Sequence, residues 1–119
     1  YEVAIDGARG FTGMDAIEWA RRAEELGAGE IVVNSIDRDG TGRGYELDLT
    51  GQIARAVTVP VIASGGAGTV QHIMDGFDAG ASAAIISSML YSPRNRNVSV
   101  PELKAELLAA GANVRPLVA

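Results

Sequence analysis

The stretch Pro60-Val61-Ile62-Ala63-Ser64-Gly65-Gly66-Ala67-Gly68 runs from an apolar strand into a loop almost without side chains. Such a loop lets backbone N–H groups approach a ligand closely. Thr69-Val70-Gln71-His72-Ile73-Met74 reads as a helix start directly after it, and loop N–H groups beside a helix N-terminus favour an anion, with phosphate the best fit. A tight strand-to-helix turn holding no ligand explains the same residues. The spacing matches neither the dinucleotide fingerprint nor the P-loop, so the choice rests on what else the chain brings to the same place.

The elements that must position this loop follow from periodicity. Val3 and Ile5 read as a short strand ending at Asp6, followed by a glycine-rich loop over 7–13. Ala16, Trp19, Ala20, Ala23 and Leu26 recur at helical spacing, with Trp19 taken as core packing rather than a ligand platform. Ile31-Val32-Val33 is a buried strand ending near Ser35-Ile36, and a polar loop from Asp37 to Tyr45 follows. Leu47, Leu49, Ile53, Ala54 and Val57 suit a helix that ends before Pro60. After the central strand, a helix buries Val70, Ile73, Met74 and Phe77 and closes at Gly80. Ala83-Ala84-Ile85-Ile86 makes a last strand ending in Ser87-Ser88. A polar loop over 92–99 then leads to a helix opened by Pro101 and stopped by Gly111. His72 reads as a solvated or partly packed helix residue away from the strand ends.

Strict β–α alternation with apolar strands implies a parallel sheet with right-handed crossovers. An open doubly wound sheet and part of a (β/α)8 barrel both fit. The barrel is preferred because Asp6, Ser35 with Asp37 and Asp39, Ser64 with the glycines, and Ser87-Ser88 all fall at strand C-terminal ends, which a barrel gathers on one catalytic face. The expected fold is α/β, a (β/α)4 half of a TIM barrel occupying residues 1–119 as one unit.

Composition narrows the function. The 119 residues are 47% apolar, enough for a core, and carry a formal charge of −5. An acidic chain offers no general cationic footprint for nucleic acid or an anionic membrane. With no cysteine and one histidine, neither a disulfide framework nor a thiolate or histidine metal site is expected, and no cofactor is implied. No apolar run approaches the roughly 20 residues of a membrane span, so a soluble, cytoplasmic chain is expected. It begins without Met and enters a strand pattern at once, and reads as a piece of something longer.

Ser35-Ile36-Asp37-Arg38-Asp39-Gly40-Thr41, the glycine loop, and Gly111-Ala112-Asn113-Val114-Arg115 resemble the cyclase subunit of imidazole glycerol phosphate synthase, of histidine biosynthesis. Thr12-Gly13-Met14-Asp15-Ala16-Ile17-Glu18-Trp19-Ala20 is similar to that family's fifth helix, so the resemblance covers the C-terminal half of the barrel. The pathway's phosphoribosyl isomerase is the alternative within the same fold, and a non-catalytic phosphate-binding module is the alternative outside it.

The resemblance implies a lyase that converts a bis-phosphorylated ribulosyl intermediate and ammonia into imidazole glycerol phosphate and an aminoimidazole carboxamide ribotide. A glutaminase partner supplies the ammonia. It implies Asp6 as the catalytic acid or base, because ring closure and C–N cleavage need proton transfer. It implies a phosphate site at Asp39, Gly40, Gly65, Gly66, Ser87 and Ser88, with Asp39 acting through its backbone or on substrate hydroxyls. The first half of the barrel is absent, so the chain alone is expected to be inactive. Its partner is expected to be an N-terminal half-barrel or a second copy, the latter pairing Val3-Ala4-Ile5 with Ala83-Ala84-Ile85 to make eight strands. Gly66→Val is expected to abolish phosphate binding at modest cost in stability, and His72→Ala to leave it nearly unchanged.

Overall fold

The computed structural model describes residues 1–92 and 98–117. The chain opens on an antiparallel hairpin, β1 (Glu2–Ile5) and β2 (Gly10–Asp15), paired through Ala4 with Phe11 and Ile5 with Gly10. This corrects the expected glycine-rich loop over 7–13. Asp6, Gly7 and Ala8 turn the chain with φ of 55°, 63° and 72°, and the Arg9 N–H donates to the Asp6 carbonyl at 3.3 Å. A turn this short returns the chain beside the strand it has just left, so β1 takes its partner from its nearest neighbour in sequence and does not join the parallel sheet.

Helix α1 (Ala16–Glu25) follows without a break, capped by the Asp15 carboxylate, which accepts from the Glu18 N–H at 3.1 Å. Ala16, Ile17 and Ala20 turn inward, whereas Trp19 is 42% exposed and is not the core residue its spacing suggested. At the helix's far end the Glu24 carboxylate accepts hydrogen bonds from the Thr58 hydroxyl and from the N–H groups of Thr58 (2.7 Å) and Val59 (3.2 Å). Those bonds hold it below the usual carboxylate range and tie α1 to the turn ahead of the central strand.

The sheet itself is β3 (Ile31–Asn34), β4 (Val61–Ser64) and β5 (Ala83–Ala84), parallel and in that order. Val32 pairs with Ile62, and Ile62 with Ala83. The crossovers carry α2 (Leu47–Ala56) and α3 (Val70–Asp78). The short α4 (Ser88–Tyr91) and then α5 (Val100–Ala109) follow β5. Ser99 and Glu102 close α5 with a capping box, and Pro101 sits in its first turn. Most of the expected polar loop over 92–99 lies outside the described residues.

One sheet face is covered and the other is not. Val33, Val61, Leu49, Ile53 and Ala20 form one core, and Tyr45, Ala63, Ile73, Met89, Leu103 and Leu107 are in the second. On the opposite face Val32 is 52% exposed beside Ile62. A parallel sheet is ordinarily buried on both faces. Bare strands on one side and helices on the other are what part of a barrel presents, with the bare face belonging to the barrel interior. β1 pairs with β2 in a sheet separate from β3, β4 and β5, so Val3-Ala4-Ile5 does not form an edge of the parallel sheet as expected. Among the described residues no helix is long and apolar enough to cross a membrane.

Candidate functional site

Because β3, β4 and β5 are parallel and adjacent, the loops that leave them emerge at one edge of the sheet. Ser35 starts the first loop as a buried polar residue. Its N–H donates to the Ser64 carbonyl at 3.2 Å, its carbonyl accepts from Asp39 at 2.9 Å, and its hydroxyl accepts from the Arg38 N–H at 3.3 Å. Arg38 reaches Glu46 at 3.6 Å and donates to the Arg43 carbonyl at 3.3 Å, so it braces its own loop.

The glycine loop packs against this first loop through backbone alone. A Cβ on Gly65 would lie 2.8 Å from the Ser35 carbonyl oxygen, and one on Gly66 would lie 2.2 Å from that of Gly44. A Cβ on Gly68 would lie 2.6 Å from the Gly42 oxygen. The Gly44 N–H donates to the Gly66 carbonyl at 2.8 Å. The glycines therefore have a structural duty: they let two loops touch. Gly65, Gly66 and Ala67 are nonetheless buried, and among the described residues their N–H groups have no acceptor within the molecule. Buried N–H groups are nearly always paired. Three consecutive N–H groups without an acceptor among the described residues are donors available to an anion or to ordered water.

The third loop adds hydroxyls. The Ser87 Oγ lies 3.1 Å from the Tyr91 phenol oxygen, and Ser88 begins α4. Tyr45 locks this loop to the first, since its phenol donates to the Ile85 carbonyl at 2.8 Å and its ring is buried. Gly65, Gly66, Ser87 and Ser88 thus belong to loops fastened to one another. Gly40 stands apart, exposed at φ 76° with no heavy atom near the position of a Cβ. Asp39 is exposed too, and its N–H is already engaged by Ser35. A cavity of about 160 Å³ behind the first loop and one of about 860 Å³ between α3, β5 and α5 are lined by none of Asp39, Gly40, Gly65, Gly66, Ser87 and Ser88.

Asp6 is not placed with them. It follows β1, but β1 belongs to the hairpin, and its exposed carboxylate makes no hydrogen bond or ion pair among the described residues. The expectation that it ends a strand of the parallel sheet is corrected. Reading the sequence also missed His72 and Tyr45. The His72 Nδ1 accepts from the Gly68 N–H at 3.0 Å, a contact signalled only by a histidine four residues after a glycine loop. No comparable local signal marks Tyr45, whose partner lies 40 positions away.

Helices on one face of a parallel sheet, with polar and glycine groups gathered at the strands' C-terminal edge, define a member of the (β/α)8-barrel class represented by part of its barrel. Solved structures agree on the fold. The Amycolatopsis orientalis BexX/CysO complex matches with a TM-score of 0.61 at 24% identity, over 87% of this chain and 44% of that one. The N-acetylmannosamine-6-phosphate 2-epimerase of Clostridium perfringens matches with 0.52 at 17% identity, over 79% and 39%.

Residues 1–95 match the family described as histidine biosynthesis protein, and the chain belongs to that family. It is 53% identical over 116 residues to imidazole glycerol phosphate synthase subunit HisF of Nitratidesulfovibrio vulgaris (strain DP4), covering 97% of this chain and 44% of that protein. The same subunit from Pyrobaculum aerophilum is 48% identical over 115 residues, with the same coverage. That from Thermobifida fusca (strain YX) is 47% identical over 115 residues, again covering 97% and 44%. The chain spans less than half the length of these relatives. All three carry the synthase subunit's name, so the isomerase alternative is not favoured.

Proposed function

We propose that this chain is the C-terminal portion of a cyclase barrel of histidine biosynthesis. In that reading the complete barrel makes imidazole glycerol phosphate and an aminoimidazole carboxamide ribotide from a bis-phosphorylated ribulosyl intermediate, using ammonia from a glutaminase subunit. The observation that carries it is 53% identity over 97% of the chain to a HisF subunit. In this portion, the N–H groups of Gly65, Gly66 and Ala67 and the hydroxyls of Ser87 and Ser88 bind one substrate phosphate. Neutral donors suit a dianion, because each N–H or O–H bond to it is charge-assisted. Gly40 adds a backbone approach from the first loop. Asp39 acts on substrate hydroxyls, its N–H being occupied. Glycines serve here twice over, admitting the neighbouring loop on one side and a ligand on the other.

The bare sheet face and the exposed backbone of β3 and β5 call for further strands, and the matching N-terminal half of a relative supplies them. A second copy of this chain is the alternative partner. The chain alone is expected to show no cyclase turnover. Mixed with a matching N-terminal half, it should gain at least about a hundredfold in rate over either part, since the reacting groups are then held in one site. A folded, stoichiometric assembly without activity would refute the proposal.

The resemblance also assigns proton transfer to Asp6, which directly follows β1, and we keep that role as part of the proposal. In the reconstituted enzyme, Asp6→Asn should cost roughly 100- to 10,000-fold in kcat, as for loss of an acid or base catalyst. A kcat within about twofold of the wild type would take Asp6 out of the site.

A further inference from the structure

One imidazole touches both loops that frame the proposed phosphate pocket. His72 is the third residue of α3, and its own N–H is capped by the Thr69 hydroxyl at 3.1 Å. Its Nδ1 accepts from the Gly68 N–H at 3.0 Å. Its ring edge lies against the first loop, where a Cβ on Gly44 would come within 3.2 Å of Cδ2. Gly44 in turn donates to Gly66. Accepting at Nδ1 requires a neutral ring with its proton on Nε2.

We propose that His72 is a positioning residue for the anion-binding loop: its neutral ring takes the Gly68 N–H and wedges against Gly44, holding Gly65–Ala67 in the shape that presents their free N–H groups. The inference rests on the phosphate reading of that loop. Taking the Gly68 N–H into a protein bond ends the loop's donor set at Ala67. Protonating the ring places an N–H at Nδ1 opposite the N–H of Gly68, and two donors cannot bond each other. The bond is then lost, the loop loosens and the anion binds less well. The charged groups around the ring come from three directions: Arg38 and Arg43 from the first loop, Glu46 and Asp48 from the start of α2, and Asp75 from α3 itself. Arg38 is engaged by Glu46, and Asp75 accepts from Gln71 at 2.8 Å.

The 119-residue chain, His72→Asn and His72→Ala are titrated with sulfate, a dianion that does not itself titrate between pH ~8 and ~5, the range in which imidazoles ordinarily take up a proton. Amide NMR is recorded on the same samples. Asn keeps an acceptor near the place of Nδ1 but cannot be protonated. At the alkaline end, His72→Ala should bind sulfate about tenfold more weakly than the wild type, as for loss of one ordering hydrogen bond, and His72→Asn nearly as well. On acidification the wild type should lose about tenfold more affinity than His72→Asn, while the Gly68 amide signal moves with the His72 ring. Equal pH dependence in wild type and His72→Asn, or wild-type binding by His72→Ala, overturns the proposal. A Gly68 amide indifferent to the His72 ring also overturns it. Absence of sulfate binding with the Gly68–His72 coupling intact overturns the phosphate reading instead, and with it the positioning role, but leaves the hydrogen bond in place.

Discussion

Gly66→Val should cost the protein roughly 3–5 kcal/mol, enough to unfold much of a marginal domain. Two independent effects add. At φ 113° any side chain is strained, by about 1–3 kcal/mol. The new Cβ would also lie 2.2 Å from the Gly44 oxygen, 2.9 Å from the Gly44 carbonyl carbon and 3.0 Å from the Arg38 Cβ. Two of those atoms are backbone, in a loop already bonded to Gly66, so neither side can yield without breaking the contact. The expectation of a modest stability cost is thereby revised: loss of anion binding in this variant would report a displaced loop. Gly40→Ala is the matched control. It too sits at positive φ, but nothing lies within 4 Å of its Cβ position, so only the backbone strain of about 1–2 kcal/mol remains. Urea melts of the two variants decide it. Similar midpoints would mean that the loops do not interlock at Gly66.

Tyr45→Ala should destabilise by a comparable amount, about 3–5 kcal/mol, as for other large aromatic truncations in a core. The ring is 2% exposed and fills the space left by Gly76, where a Cβ would sit 3.0 Å from the ring. Tyr45→Phe keeps the ring and removes only the donor to the Ile85 carbonyl, for about 1 kcal/mol. The two variants separate packing from hydrogen bonding. Alkaline titration adds a third reading. Burial pushes the Tyr45 phenol from the ordinary 10 up to about 12, so the folded state favours the protonated form. The resulting stability is complete below pH about 10 and is lost as pH rises towards about 12. Wild type should therefore lose its advantage over Tyr45→Phe across that interval. Parallel curves for the two proteins would place the phenol in water.

Much of this molecule was legible one segment at a time. Ile31-Val32-Val33, Val61-Ile62-Ala63 and the helical spacing over 16–26, 47–57 and 70–78 were read correctly, because periodicity and punctuation by glycine and proline are local properties. Their alternation left an open sheet and a barrel, and the polar residues at the strands' C-terminal ends favoured the barrel. The motifs around Asp37–Thr41 and Ser64–Gly68 carried the family, which the match over residues 1–95 shows. The opening segment failed for a reason of partner choice. Val3 and Ile5 make a strand under either reading, and only the tight turn at Asp6–Ala8 selects β2 over the sheet. That choice also places Asp6 in a hairpin turn.

The chain's residues by themselves determined that three apolar strands alternate with helices and that a glycine loop leaves the middle one, since backbone preference and hydrophobic spacing act within a few positions. Tertiary structure alone decided what those glycines are for. Whether a missing side chain makes room for a ligand or for another loop depends on atoms far along the sequence: the Gly44 oxygen against Gly66, the His72 ring between Gly68 and Gly44, the Tyr45 phenol on Ile85. Such contacts join residues that share no local pattern, and they form only once burial has brought the strands and helices together.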